Sequence, residues 1–170
     1  FLSRIEWSIN SFPINKLEIF EGFQQIANNI NANFTINYSD EIPNVAIFVS
    51  KQNHCLIDLL WRVRNGELKM KVPLIISNHP DLEGLAKDFN AQFIYYDSIN
   101  NQRSEIERQV LNKLKIFDIK FAILAKYMQI LSESFLNEFS EIINIHHSFL
   151  PAFKGSQPYH RAWKRGVKLI

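Results

Sequence analysis

One cysteine, five glycines and six prolines in 170 residues exclude several fold classes at the outset. Cys55 alone cannot form an internal disulfide, which argues against a small secreted disulfide scaffold and for a reducing compartment. No apolar run approaches the ~20 residues that a membrane helix needs. Nor does any basic start lead into an apolar stretch as in a signal peptide. A cytoplasmic protein with no membrane partner is expected. Charge of neither sign accumulates: 19 basic and 17 acidic residues are scattered to a net +2, with no basic run to neutralise a phosphate backbone, so no nucleic-acid partner is expected. Histidine pairs at helical ligand spacing are also missing, and the adjacent His146 and His147 would point to opposite sides of an extended strand, so no metal site is expected.

What is present is a globular composition, 46% hydrophobic and 21% charged, in a chain long enough for one domain and part of another. Residues 1–7 alternate between apolar and polar as a half-buried strand does. From Leu17, the residues Ile19, Phe23, Ile26, Ala27 and Ile30 recur at helical spacing, and 34–38 alternate again, which predicts a small strand, helix and strand unit. Proline and short polar residues at 39–43 then break the pattern as a linker would.

Beyond the linker, Val45-Ala46-Ile47-Phe48-Val49 is continuously apolar, as in a parallel strand buried on both faces. An amphipathic helix follows with Leu56, Leu59, Leu60 and Val63 on one face. Further strands are predicted at 74–76, 93–95, 121–124 and 142–146, separated by helical stretches carrying Leu82, Leu85, Ala86 and Phe89, then Ile106, Val110 and Leu114, then Phe135 and Phe139. This βαβ order predicts an α/β domain from Asn44 onward with an open, doubly wound, mostly parallel sheet of Rossmann type. Residues 167–170 read as a strand just beginning, so both ends of the chain are expected to be truncations.

Asn144 and His146, two apart on the strand predicted at 142–146, project to the same face at its C-terminal end, the edge where open α/β sheets place ligands. An amide donor beside an imidazole suits a reaction that develops negative charge on a carbonyl oxygen. On period alone the pair equally suits a polar strand end closed by hydrogen bonds. Cys55 beside His54 at a helix start raises a thiol nucleophile, although a lone cysteine is more commonly a small buried hydrophobe. His79 and His160 fit turn or surface positions better than ligand positions.

The residues Asn144-Ile145-His146-His147-Ser148-Phe149-Leu150-Pro151 resemble the Asn-x-His-x-Ser-x-Leu-Pro signature of formyltetrahydrofolate-using enzymes, and Phe153-Lys154-Gly155 and the predicted helix 159–165 fit as well. That signature is shared by glycinamide ribonucleotide and methionyl-tRNA formyltransferases, so other segments must decide. In the ribonucleotide enzyme, the loop after the first buried strand is a Gly-Asn-x-Ser-Asn phosphate cradle. Here it reads Ser50-Lys51-Gln52-Asn53-His54-Cys55, with no glycine to let the backbone approach a phosphate. This loop, together with Asp58-Leu59-Leu60-Trp61-Arg62 and Ile76-Ser77-Asn78-His79-Pro80-Asp81-Leu82, resembles the formyltetrahydrofolate deformylases.

That resemblance implies a formyltransferase-like catalytic domain over 44–170, incomplete at its C-terminus. It also implies a linker at 40–43 and, over 1–39, the C-terminal half of an α+β ACT domain able to take an amino-acid effector and to pair subunits in a homo-oligomer. The implied activity is hydrolysis of 10-formyltetrahydrofolate to formate and tetrahydrofolate, with no cofactor. Asn144 and His146 take the catalytic roles. Met128, Gln129, Ile130 and Leu131 border the folate, and His54 and His147 border the water-binding pocket. The family's aspartate lies beyond Ile170, and Asp58, Asp97 and Asp118 do not match it, so a chain ending there is expected to be inactive alone. Two other functions stay open at this point: a folate-dependent formyltransferase, and a non-catalytic regulatory protein that binds folate and an effector.

Overall fold

The computed structural model describes residues 2–9, 13–97, 102–145 and 158–167, and the chain divides into two compact units, 1–41 and 42–170. In the first unit, helix α1 (Lys16–Ile30) begins at a capping box. The Asn15 side chain accepts from the backbone N–H groups of Leu17 and Glu18 at 2.9 and 3.0 Å, while Glu18 accepts from the Asn15 N–H at 2.7 Å. The helix ends where Asn31 turns left-handed at φ 50°. Trp7 stacks on Phe23 with ring centroids 5.7 Å apart, and Phe34 lies against Phe20 and Phe23 at 5.4 and 5.9 Å.

Among the described residues of this unit the strands predicted at 1–7 and 34–38 do not form, and α1 is the only regular element. Period-two alternation decides which side chains share a face, whereas a ladder also needs a partner strand. Both segments pack on α1 through their rings instead.

The described residues of the second unit hold five strands, β1 (Asn44–Val49), β2 (Lys71–Ser77), β3 (Gln92–Tyr95), β4 (Ile119–Ala125) and β5 (Ile142–Asn144). All pair in parallel, in the order β3-β2-β1-β4-β5. Between and after them run α2 (His54–Arg64), a 3-10 turn (Pro80–Leu82), α3 (Glu83–Asp88), α4 (Arg103–Ile116), α5 (Glu133–Glu138) and α6 (Pro158–Lys164). Register places Ile47 beside Ile75 and Ile123, so Val45, Ile47 and Val49 share one face of the sheet with them. Leu56 and Leu60 of α2 and Ala86 of α3 cover that face.

Ala46 and Phe48 point to the other face, under Val110 and Leu114 of α4 and Phe135 of α5. Strand β1 is therefore dry on both sides, as its unbroken apolar run predicts. The edge strand β5 is shorter than predicted, and of the five residues expected in it His146 lies outside the described residues. Among the described residues no helix is long and apolar enough to cross a membrane.

Ile47 is fully buried at the centre of this sheet. Ile47→Ala is expected to lower the unfolding free energy by ~2–5 kcal/mol, read from urea denaturation; a loss below about 1 kcal/mol would contradict a closely packed first face.

Candidate active site

The strand order reverses between β1 and β4, and open α/β sheets bind ligands outside the C-terminal ends of strands at such a point. Ser50, the first residue past β1, is buried there. Its hydroxyl donates to Oδ1 of Asn78 at 2.6 Å and accepts the Met128 N–H at 2.9 Å. One side chain thus ties together the loops after β1, β2 and β4. The β2 end is tightened further by the Ser77 hydroxyl, which accepts the His79 N–H at 3.0 Å. The loop after β4 opens at Lys126, whose φ of 59° is left-handed, a conformation uncommon outside glycine.

A cavity of about 220 Å³ lies at this edge, on the α4 and α5 side of the sheet. Its apolar part is Phe48 with Tyr127 and Phe135 set edge-on to it at 5.4 and 6.4 Å. Gln129, Ile130 and Leu131 form one rim, and Asn78, Arg103 and Glu107 bring polar atoms. Burial pushes the Tyr127 phenol up to about 12, and the nearby charge of Glu107 acts in the same direction, so Tyr127 is a neutral wall. For Glu107, burial favours the protonated form, but the hydrogen bonds from Ser132 and the pairing with Arg103 outweigh it and carry the carboxyl below its usual range. It is ionised at neutral pH.

Of the residues singled out in the sequence, the structure gathers Gln129, Ile130 and Leu131 at the cavity. Met128 is exposed and joins through its backbone bond to Ser50. Asn144 ends β5, exposed, in register with Leu124, whose side chain packs into the Phe48 and Phe135 face. His54 is exposed at the start of α2 and is not part of the cavity wall. His146 and His147 lie outside the described residues.

Cys55 is half-buried and packs against the core of the first face, as a small hydrophobe does. His79 sits in a turn, and His160 is exposed on α6, stacked on Trp163. Asp58 is paired with Arg62 and Asp118 with Lys120. Among the described residues no group of three or more His, Cys, Asp or Glu is placed to hold a metal ion. The sequence shows Ser50 and Asn78 only as members of the deformylase-like segments and gives no site role to them or to Glu107. Nothing in period or spacing marks a serine past a strand end as the junction of three loops.

Residues 43–170 match the family model described as formyl transferase. The chain is 47% identical over its whole length to formyltetrahydrofolate deformylase of Synechocystis sp. and 39% identical to that of Bacillus subtilis, covering 60% and 57% of those proteins. It is similar to the solved structure of formyltetrahydrofolate deformylase from Burkholderia mallei, with a TM-score of 0.81 and 39% identity over 94% of this chain and 57% of that one. The chain thus spans about three-fifths of the length of the curated relatives it matches.

Replacing Ser50 by Ala leaves Oδ1 of Asn78 and the Met128 N–H without these partners, and is expected to cost ~1–3 kcal/mol of stability by urea denaturation. A neutral effect would show that water replaces the hydroxyl. Because the Tyr127 phenol is raised from 10.0 to about 12, the neutral form is favoured by folding; that contribution is complete below pH 10.0 and is lost as pH rises through about 12. Ultraviolet difference titration of the protein against Tyr127→Phe checks it, and tyrosinate from Tyr127 already formed at pH 10 would contradict the burial.

Proposed function

The chain belongs to the formyl transferase family, and on that premise we propose that this protein hydrolyses 10-formyltetrahydrofolate to formate and tetrahydrofolate, supplying formate for purine synthesis. The observation that favours water over a phosphorylated acceptor is the loop 50–55. Among the described residues, left-handed backbone occurs at Asn31, Asn90, Asp118, Lys126, Gly66 and Gly166, and none of these lies in 50–55. An anion nest alternates right- and left-handed residues. This loop has no such alternation, and its one buried hydroxyl is engaged with Asn78 and Met128.

In the proposed reaction water adds to the formyl carbon, the carbonyl oxygen takes up negative charge, and the carbon–nitrogen bond breaks as the folate nitrogen accepts a proton. Asn144 would donate its side-chain amide to the formyl oxygen. His146 would donate to the developing oxyanion or protonate the leaving nitrogen. Main-chain groups of 128–131 would border the pterin, with His54 and His147 beside the water. Support for this arrangement is that Asn144 and the 128–131 segment leave neighbouring strands, β5 and β4, at the same end of the sheet. Within the same proposal, residues 1–39 are the C-terminal half of an ACT domain that takes an amino-acid effector and pairs subunits. The support is one helix flanked by two alternating segments that share its aromatic face.

The test is formate release from 10-formyltetrahydrofolate by the full reading frame, with no acceptor present. His146→Ala and Asn144→Ala are each expected to lower kcat by ~100-fold or more, the usual effect of losing one oxyanion donor. Formyl loss that waits for a second substrate would make the protein a transferase. Folate binding without turnover would make it a binding protein.

A further inference from the structure

Among the described residues Glu107 is the one acidic side chain that is buried, 8% exposed, and the proposed chemistry does not use it. Its Oε1 accepts Nε–H of Arg103 at 3.0 Å and the backbone N–H of Ser132 at 2.9 Å, and its Oε2 accepts the Ser132 hydroxyl. Arg103 in turn donates from Nη2 to the carbonyl of Ile130. The Ser132 hydroxyl also accepts the Phe135 N–H at 3.1 Å, which caps α5, and lies 2.8 Å from the hydroxyl of Ser134. Capping α5 needs only that hydroxyl. A buried carboxylate is an expensive addition if capping is its whole purpose, because desolvation opposes it.

The added bonds have a different consequence. The segment between β4 and α5 is held at Met128 by Ser50, at Ile130 by Arg103 and at Ser132 by Glu107. Glu107 orients the last two anchors at once. Gln129 and Leu131, which lie between the anchors, are presented at the cavity.

We propose that Glu107 is a positioning residue: from α4 it fixes the conformation of residues 128–132, and thereby sets the affinity for the folate portion of the substrate rather than the rate of formyl cleavage. This rests on the reading above that 128–131 border the pterin. Arg103 stands half-exposed, so on loss of the carboxylate its guanidinium can turn to water rather than remain a buried unpaired charge.

The experiment compares the full-length protein with Glu107→Ala and Glu107→Gln in three measurements: KM and kcat for 10-formyltetrahydrofolate, Kd for tetrahydrofolate by calorimetry, and Tm. Glu107→Ala is expected to raise KM and Kd together by about tenfold, the scale of lost charge-assisted hydrogen bonds, with kcat within about twofold of wild type. Glu107→Gln keeps an acceptor for Ser132 but not the charge opposite Arg103, and is expected to raise both by about threefold. A lower Tm with unchanged KM and Kd would reduce Glu107 to a structural cap and overturn the proposal. So would a fall in kcat at constant KM. If Glu107→Ala does not fold, the isosteric glutamine variant decides by the same criterion. Wild-type protein that binds tetrahydrofolate but releases no formate would sink the hydrolase reading alone, since the Kd comparison still judges Glu107; wild-type protein that does not bind tetrahydrofolate would overturn both.

Discussion

Strand β1 is covered on both faces, and its buried run from Val45 to Val49 offers no polar side chain, only the Phe48 ring as part of the cavity wall. The chain can first turn polar one residue later, and it does so at Ser50. A hydroxyl there has one hydrogen to give and lone pairs to receive. Spending the hydrogen on Asn78 and a lone pair on Met128 draws the ends of β2 and β4 toward the end of β1. The position of the cavity, and of the 128–131 segment beside it, follows from that junction and from the reversal of strand order around β1.

A second junction works by charge. Arg103 and Glu107 are one turn apart on α4, so they form an i,i+4 pair, and the carboxylate is the buried member. In that partly dry setting the hydrogen bonds from Ser132 are stronger than they would be in water, and they hold Glu107 ionised against the pull of burial. The same burial keeps the neighbouring phenol of Tyr127 neutral. Two groups a few side chains apart are driven to opposite states because one has donors aimed at it and the other has apolar rings.

Much of the second unit was legible in the chain. The apolar run 45–49, the stripe Leu56, Leu59, Leu60 and Val63, and the stripe Ile106, Val110 and Leu114 each settled into the element their period predicts. The first unit was less legible. Its helix came with a capping box and formed, but the alternation at 1–7 and 34–38 produced no ladder, because alternation carries no information about whether a neighbouring strand is present. Of the candidate site residues, the 128–131 segment and Asn144 were visible through the family resemblance. Ser50 and Asn78 also stand in segments that carry it, but the bonds they make, like those of Glu107, were not legible, since the partners lie 28, 78 or 25 positions away.

By itself, then, the sequence determined the parallel α/β class, the two-sided burial of β1, the family, and the strand end at which chemistry would be sought. Those properties are local or periodic, and a period survives in one dimension. Only the tertiary structure decided which loops meet, that a serine hydroxyl joins three of them, and that a glutamate on α4 reaches across to hold the segment before α5. Hydrogen bonds between distant residues depend on the packing of whole elements to within a few tenths of an ångström, and no spacing along the chain encodes that.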